Sequence, residues 1–278
     1  MGMEDVETRS HRPTPTEAFA RLLEIVASLR AEGGCPWDRA QTLASLKSDM
    51  LEEAHEFVEA VDDDEPPKIE EELGDLLINV VLNAQIAGER GLFDILSVVR
   101  RANEKLVRRH PHVFGDADAD TPARVLAHWE AIKRGEAGYE ARTSLLDGLP
   151  AALPALMAAQ KLQARAARVG FDWERAADVL PKIREELSEI EACVSGGDVV
   201  GAEMEVGDLL FAVVNLARLL GVEPESSLRK SNAKFRRRFR RMEAILSDRG
   251  ESFADHDLAG LDRIWDRVKD EECAEATS

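Results

Sequence analysis

Cysteine is scarce in this sequence, and aromatic residues are few. The three cysteines, Cys35, Cys193 and Cys273, lie far apart with no CxxC among them. That excludes a disulfide framework or a cysteine zinc site and reads as free thiols in a reducing compartment. Aromatics make up 5% of the chain, while Leu, Ala, Glu and Arg dominate, a composition that favours helix over sheet. No strand-like alternation of useful length occurs, so the expected fold is all-α. The most apolar run, Leu76 to Leu82, is far too short to span a bilayer. The N-terminus, with its acidic residues and Pro13 and Pro15, lacks the charged-then-apolar pattern of a signal peptide. A cytoplasmic protein without membrane contact is expected. Positive charge is also in deficit. A net charge of −18 argues against a broad nucleic-acid or anionic-membrane surface and is compatible with binding divalent cations. No Walker A sequence is present, so phosphates are not held by a Gly-rich loop, and no Ser/His/Asp or reactive-cysteine arrangement is found.

What the chain does have is acid. Asp and Glu account for 54 of 278 residues. Glu53-Ala-His-Glu56 and Glu72-Leu-Gly-Asp75 each place two carboxylates on one helical face, because residues three apart are neighbours there. Two such helices packed antiparallel bring Glu53, Glu56, Glu72 and Asp75 together, four hard oxygen donors of the kind Mg²⁺ takes. One copy decides little. In a chain this acidic, four acids at fixed spacing arise about 0.2⁴ of the time per start, on the order of 0.4 in the whole chain.

The pattern is repeated. Glu186, Glu189, Glu205 and Asp208 stand 133 residues after Glu53, Glu56, Glu72 and Asp75. Gly74-Asp-Leu-Leu77 is answered by Gly207-Asp-Leu-Leu210, and Trp37-Asp38 by Trp173-Glu174. The basic stretch with Lys105, Arg108 and Arg109 is answered by Lys234, Arg237 and Arg238, and Trp129/Lys133 by Trp265/Lys269. Ordered matches of this kind mark an internal duplication. The chain therefore reads as a flexible tail (1–16), a first helical domain (17–134), a linker (135–150), a second helical domain (151–270) and a C-terminal tail (271–278).

Along the chain, Thr16 is placed to cap a helix over Ala18 to Arg30, and Gly33-Gly34 to end it. Helices are expected at about Leu43 to Val61, from Glu72 onward and at about Asp94 to Arg109. The second domain supplies helices at about Leu153 to Val169, Ala177 to Val194, Ala202 to Leu220 and Pro224 to Asp248. Leu76 to Ile86 is apolar nearly all round, which predicts a helix buried on all sides. Asn79 either supports a ligand at Asp75 or bonds within the bundle. His110 and His112, flanking Pro111, read as helix-end residues before metal ligands. Lys161, Arg165 and Arg168 form a basic stripe that the first domain lacks. Arg229 to Arg241 holds eight basic residues and no acid. Phe235, Phe239, Met242 and Leu246 give that helix a core face, while Lys234, Arg237, Arg238 and Arg241 form another face. Beside an acidic cage, this second face suits metal-bridged phosphates better than nucleic acid.

Carboxylates, Mg²⁺ and cations together describe a polyphosphate site in which water is the attacking group. At this point the chain resembles a known family. The Glu-Glu-x-x-Glu and Glu-Leu-Gly-Asp-Leu-Leu segments, the run from Lys105 to Phe114, Gly170-Phe-Asp-Trp173 and the run from Asn232 to Phe239 are similar to the MazG nucleoside triphosphate pyrophosphohydrolases of two-repeat type. The resemblance covers about residues 17 to 270. It implies the all-α NTP pyrophosphatase fold, with bundles completed by homodimerisation. It also implies Mg²⁺-dependent cleavage of nucleoside triphosphates to monophosphate and pyrophosphate, with Mn²⁺ as a substitute ion. Broad base tolerance follows from it too, along with a role in nucleotide-pool cleaning or stress-related nucleotide control. Residue by residue, it implies two metal cages, at Glu53, Glu56, Glu72 and Asp75 and at Glu186, Glu189, Glu205 and Asp208; the difference between the repeats at Lys182 and Asp49 makes the second set the expected catalytic one. Lys182, Lys234, Arg238, Trp265 and Lys269 match nucleotide-holding positions, the tryptophan either flanking the base or packing in the core. Arg237 and the first-repeat residues Lys105, Arg108, Arg109, Trp129 and Lys133 complete the expected substrate-binding set.

One asymmetry separates the repeats: Lys182 precedes Glu186 by four residues, where Asp49 precedes Glu53. The expected consequence is that the second repeat carries most of the turnover. Three other readings compete. One is a narrower pyrophosphohydrolase acting on dUTP, dCTP or phosphoribosyl-ATP. A second is a non-catalytic nucleotide- or metal-binding module. The third is a di-iron bundle, disfavoured because Glu52-Glu-Ala-His55 is a single ExxH, with Ser188 at the matching place in the second repeat.

Overall fold

The computed structural model describes residues 12–115, 117, 121, 124, 125, 132 and 143–275. Among these, every regular element is helical, and no helix is long and apolar enough to cross a membrane. Trp129, Lys133, positions 1–11 of the N-terminal tail, 135–142 of the linker and 276–278 of the C-terminal tail lie outside the described residues. The chain divides into two compact units, Met1–Glu140 and Ala141–Ser278.

In the first unit, α1 (Pro15–Arg30) packs on α4 (Pro66–Glu89), which packs along α3 (Leu46–Asp62). The short α2 (Pro36–Ala40) follows α1, and α5 (Ile95–Arg109) and α6 (Pro111–Phe114) close the unit. The start of α1 corrects the sequence reading. Thr14, not Thr16, is the N-cap, its hydroxyl accepting from Glu17 N while the Glu17 carboxylate accepts from Thr14 N, and Pro15 takes the first helical position. This reciprocal box satisfies two amides that otherwise lack partners, and proline loses nothing there. At the other end, a side chain at Gly34 would overlap the Leu29 carbonyl, so the tight turn into α2 requires glycine. Val26, Leu46, Val81, Leu82 and Ile86 form the core, with Phe19, Leu22 and Leu23 against it. Fully burying each such aliphatic side chain contributes about 1.5–3 kcal/mol.

The second unit repeats the plan. α7 (Ala155–Ala167) packs on α9 (Val199–Leu219), which runs along α8 (Leu180–Gly196), entered through a 3₁₀ turn at Ala176–Val179. Gly197, at φ 70°, caps α8 in the left-handed region, and Asp198 then caps α9 by accepting from Gly201 N. With so short a connection, α8 and α9 must run antiparallel, as must α3 and α4 across Asp63–Glu65. α10 (Pro224–Asp248) and α11 (Leu258–Glu275) form a second hairpin around Met242, Ile245, Leu246, Ile264 and Val268. α11 runs through 271–275, placed in a tail by sequence; Glu271 and Glu272 of that stretch bind arginines of α10.

Two further expectations are corrected. α4 is not buried on all sides: Val81, Leu82, Ala84, Ile86 and Ala87 are buried, but Leu73, Leu77, Ile78 and Val80 are exposed. The equivalent face of α9 exposes Val206, Leu210, Phe211 and Val213. A pair of helices within one unit covers only one side of its central helix. On α10, Met242 and Leu246 are buried as expected, whereas Phe235 and Phe239 remain at least one-third exposed. Their rings sit in an aromatic row, Phe239 stacking on Phe253 with centroids 4.9 Å apart and Phe235 meeting Trp265 at 5.3 Å.

Candidate active site

Each helix hairpin brings its two acidic pairs face to face. In the first unit, Glu53 and Glu56 of α3 and Glu72 of α4 present carboxylate oxygens within 4.8 Å of one another. Asp75 stands outside that triad but is close enough to act on both Glu53 and Glu72. In the second unit, the triad is Glu186 of α8 with Glu205 and Asp208 of α9, and Glu189 is hydrogen-bonded to Glu186. All eight sequence-picked carboxylates therefore sit at two sites, though the outlying member differs.

The electrostatics differ more. Among the described residues, no cation is paired with the carboxylates of the first cluster. Burial, then the neighbouring Asp75, Glu56 and Glu72 charges, pushes the Glu53 carboxyl above the usual range. Burial and Glu56 do the same to Glu72, whose Oε2 is buried with no hydrogen-bond partner among the described residues. In the second cluster, Lys182 Nζ lies 2.6 Å from Glu186 Oε1 and 3.0 Å from Glu185 Oε1. That contact holds Glu186 below the ordinary carboxylate range, although its side chain is 4% exposed. Glu189 is pushed up instead, by its hydrogen bond to Glu186, by burial and by Glu205. Close like charges cannot all ionise freely unless a cation joins them. An all-carboxylate donor set with an orphaned buried oxygen fits a hard divalent ion.

The second cluster opens on a cavity of about 510 Å³ within its own unit. Lys182, Glu186 and Asp208 form its polar edge. Leu162, Ala166, Phe171, Trp173, Phe211 and Ala212 form most of its wall, with Gln163, Asp172 and Asn215 also lining it. This size and this largely apolar lining with a few polar groups suit a small-molecule ligand. The sequence reading passed over Gln163 and Asn215. The available signal was their position among apolar neighbours, a polar interruption of the kind noted at Asn79.

The expected cations lie elsewhere. Lys234, Arg237 and Arg238 are on α10, Trp265 and Lys269 on α11, and none of them lines the cavity. Arg237 and Arg238 both donate to Glu272, at 3.0 and 2.8 Å, and Arg241 pairs with Glu271. Arg238 lies over the Trp265 ring, 5.6 Å from its centroid. Lys269 pairs with Asp266. Trp265 is half-buried against the second hairpin's core, the packing alternative for that residue. In the first unit, Lys105 and Arg108 are exposed on α5 while Arg109 is buried. Of the basic stripe on α7, Arg165 is a tie: its Nη1 donates to the carbonyls of Leu145, Leu146 and Asp147. His110 ends α5, its Nδ1 2.7 Å from Leu106 O, and Asn79 bonds back to Asp75 O at 3.4 Å; both take their structural readings.

Comparison with known proteins meets this geometry at the same residues. The MazG nucleotide pyrophosphohydrolase domain matches twice, at 41–114 and 175–242. The chain belongs to the MazG family. Each match spans one pair of acidic helices and continues into the basic helix after it, through all of α5 in the first unit and as far as Met242 of α10 in the second. A nucleoside triphosphate pyrophosphohydrolase of Escherichia coli K12 is 46% identical over 255 residues, covering 91% of this chain and 97% of that protein. The nucleoside triphosphate pyrophosphohydrolase/pyrophosphatase MazG of Thermotoga maritima is 43% identical over 251 residues, covering 90% and 95%. A nucleoside triphosphate pyrophosphohydrolase of Mycolicibacterium smegmatis is 35% identical over 164 residues, covering 58% and 50%. This MazG-family chain is thus similar in sequence to hydrolases along nearly its whole length.

Proposed function

We propose that this protein hydrolyses nucleoside triphosphates to the monophosphate and pyrophosphate. The observation that carries this is the second carboxylate triad, Glu186, Glu205 and Asp208, set at the edge of a mostly apolar cavity with Lys182 beside it. The acidic edge suits a metal-bridged polyphosphate, and the apolar interior suits a base. Glu186, Glu205 and Asp208 would hold Mg²⁺, or Mn²⁺ in its place, with Glu53, Glu56 and Glu72 as the corresponding set in the first unit. When bound, the ion supplies charge neutralisation and polarisation of the phosphate oxygens.

The chain's own residues do the remainder. Glu189 stands outside the triad and, once it gives up its hydrogen bond to Glu186, takes a proton from water as the water oxygen adds to phosphorus. The anhydride P–O bond breaks, and the bridging oxygen leaves with its electron pair on the departing product. Lys182 offsets the charge that develops there. Lys234, Arg237, Arg238 and Lys269 are cations for the triphosphate, Arg237 and Arg238 exchanging Glu272 for phosphate, and Trp265 flanks them. Lys105, Arg108, Arg109, Trp129 and Lys133 are their counterparts in the first unit.

Broad base tolerance follows from walls that offer stacking, which every base accepts. The second unit, with Lys182, carries most of the turnover. The exposed apolar faces of α4 and α9 bury against a second copy, making a homodimer, and the protein serves nucleotide-pool cleaning or stress-related nucleotide control in the cytoplasm. Product analysis with ATP, dCTP and GTP, with and without Mg²⁺, tests the reading. Monophosphate and pyrophosphate in equal amounts, lost without metal and in Glu189→Ala, are expected. Intact nucleotide after long incubation with Mg²⁺ would leave a binding module.

A further inference from the structure

We propose that Arg218 is a positioning residue for the nucleotide: through Asp172 it fixes the Gly170–Trp173 turn, and with that turn the aromatic wall of the cavity beside the second triad. This rests on the nucleotide reading above and adds to it a residue that is not itself part of the cavity lining.

The turn follows α7 and reverses at a glycine. Gly170, at φ 83°, takes the left-handed region, where glycine is unstrained. The amides of Gly170 and Phe171 donate to Ala167 O and Ala166 O, which holds the start of the turn. Phe171, Asp172 and Trp173 all line the cavity. The two aromatic residues are 81% and 40% exposed, so burial against the core does little to place them. Asp172 supplies what packing does not. Its Oδ1 accepts from Trp173 N at 2.9 Å and from Arg218 Nη2. Arg218 stands at the end of α9, 46 positions further on. Its Nε donates at 2.8 Å to Oδ1 of Asn215, which is 3% exposed. The guanidinium is a rigid plane, so committing Nε to Asn215 sets the direction of Nη2. Asn215, Arg218, Asp172 and Trp173 N thus form a continuous chain of bonds from the buried side of α9 to the cavity wall.

Helix packing by itself does not demand this pair. The first unit closes its own turn with Arg30, whose Nη1 donates to Asp38 O and Gln41 O. There, Gly34-Cys-Pro-Trp37 stands where the second unit has Gly170-Phe-Asp-Trp173, so Pro36 replaces the aspartate. The residue 133 positions before Arg218 is Gln85, bonded to Glu89, and Leu82 takes the place of Asn215. Asparagine, arginine and aspartate therefore occur together in the unit that has Lys182 at its carboxylates.

The test is the kinetics of ATP hydrolysis with Mg²⁺ in wild type and variants, with inorganic tripolyphosphate as inhibitor. Tripolyphosphate has the phosphates and no base, so it reads the metal and the cations without the wall. Arg218→Met should raise KM for ATP about tenfold, the loss of one charge-assisted bond, with kcat within about twofold and tripolyphosphate inhibition unchanged. Arg218→Lys, which keeps a cation for Asp172, should recover most of that loss. Asp172→Asn, which leaves α9 untouched, should raise KM in the same direction, and combining it with Arg218→Met should add little more. A loss shared equally by ATP and tripolyphosphate, or a fall in kcat at unchanged KM, overturns the proposal and makes the pair a brace of the fold. Should Arg218→Met not fold, Asp172→Asn gives the same comparison. AMP binding, read by tryptophan fluorescence, separates this proposal from the reading beneath it. Weaker AMP binding in Asp172→Asn, in a protein that cleaves no triphosphate, would keep the tie and discard hydrolysis. Hydrolysis by the wild type, with AMP bound equally by every variant, would do the reverse.

Discussion

Lys182 Nζ lies 2.6 Å from Glu186 Oε1, one turn earlier on the same helix, and Asp49 takes that position before Glu53 in the first unit. The two repeats therefore keep the same four carboxylates but carry opposite charges one turn before the first of them. In the second, Lys182 is in contact with a cluster carboxylate and in place to meet phosphate charge. Lys182→Met is expected to lower kcat/KM by about tenfold to a hundredfold, the loss of one charge-assisted contact. Glu186→Ala should abolish pyrophosphate release, whereas Glu53→Ala should leave most of it. The reverse order in a pyrophosphate-release assay would move the chemistry to the first unit.

The crowded carboxylates bear on stability as well as catalysis. With Glu72 Oε2 buried and unpaired among the described residues, divalent metal should bind the folded chain far better than the unfolded one. Mg²⁺ at a hundred times its Kd should add about 2.7 kcal/mol per site, seen as a higher thermal midpoint that EDTA reverses. Glu72→Gln, which removes a like charge, should reduce this metal-dependent gain. A midpoint indifferent to Mg²⁺ in the wild type would count against a cation at either cluster.

Arg30, buried at the end of α1, binds Glu89 of α4 at 2.7 Å and also donates to the Asp38 carbonyl. Glu89 is held below its ordinary value, chiefly by that hydrogen bond. A carboxyl with a lowered folded pKa adds stability at pH above its unfolded value, 4.5, and that contribution is lost as pH falls through the folded value. Urea unfolding of wild type and Glu89→Gln should differ by about 1–2 kcal/mol at pH 7, converging as pH falls below about 4. An equal difference at pH 7 and pH 3 would show that the pair acts through packing alone.

α4 and α9 each expose an apolar stripe, and at Gly74 and Gly207, in the same helices, nothing among the described residues outside the local helix lies within 4 Å of where a side chain would begin. Glycine inside a helix costs about 1 kcal/mol relative to alanine, and no contact among the described residues explains its use twice. A second copy approaching there would. Leu210→Asp should convert a dimer to monomer in sedimentation without loss of helix content. Gly207→Ala should raise the stability of the isolated fold by about 0.5–1 kcal/mol while weakening self-association. A wild type that sediments as a monomer at all concentrations would refute the interface.

Much of the candidate site is legible in the sequence alone. A period of 133 residues joined to helical spacing is enough to pair Glu186 with Glu205 and Asp208, because antiparallel neighbours linked by a short turn must face each other. The cap at Thr14 was missed because Thr16 is an equally good cap by type, and Pro15, which favours the first helical position, decides between them. Arg165 looked like part of a basic stripe because spacing shows where a cation points from, not which carbonyls lie opposite.

Composition and periodicity by themselves determined the helical class, the duplication and the acidic residues that converge, since these depend on short-range geometry that repeats along the chain. The tertiary structure alone decided the rest. It placed Gln163 against the Phe211 carbonyl and Arg218 between Asp172 and Asn215. It also turned Arg237 and Arg238 toward Glu272. Apart from Arg218–Asn215, three positions apart, those contacts join residues 34 to 48 positions apart. A hydrogen bond's direction and a cation's partner depend on atoms brought together by packing, and no local pattern in the chain encodes them.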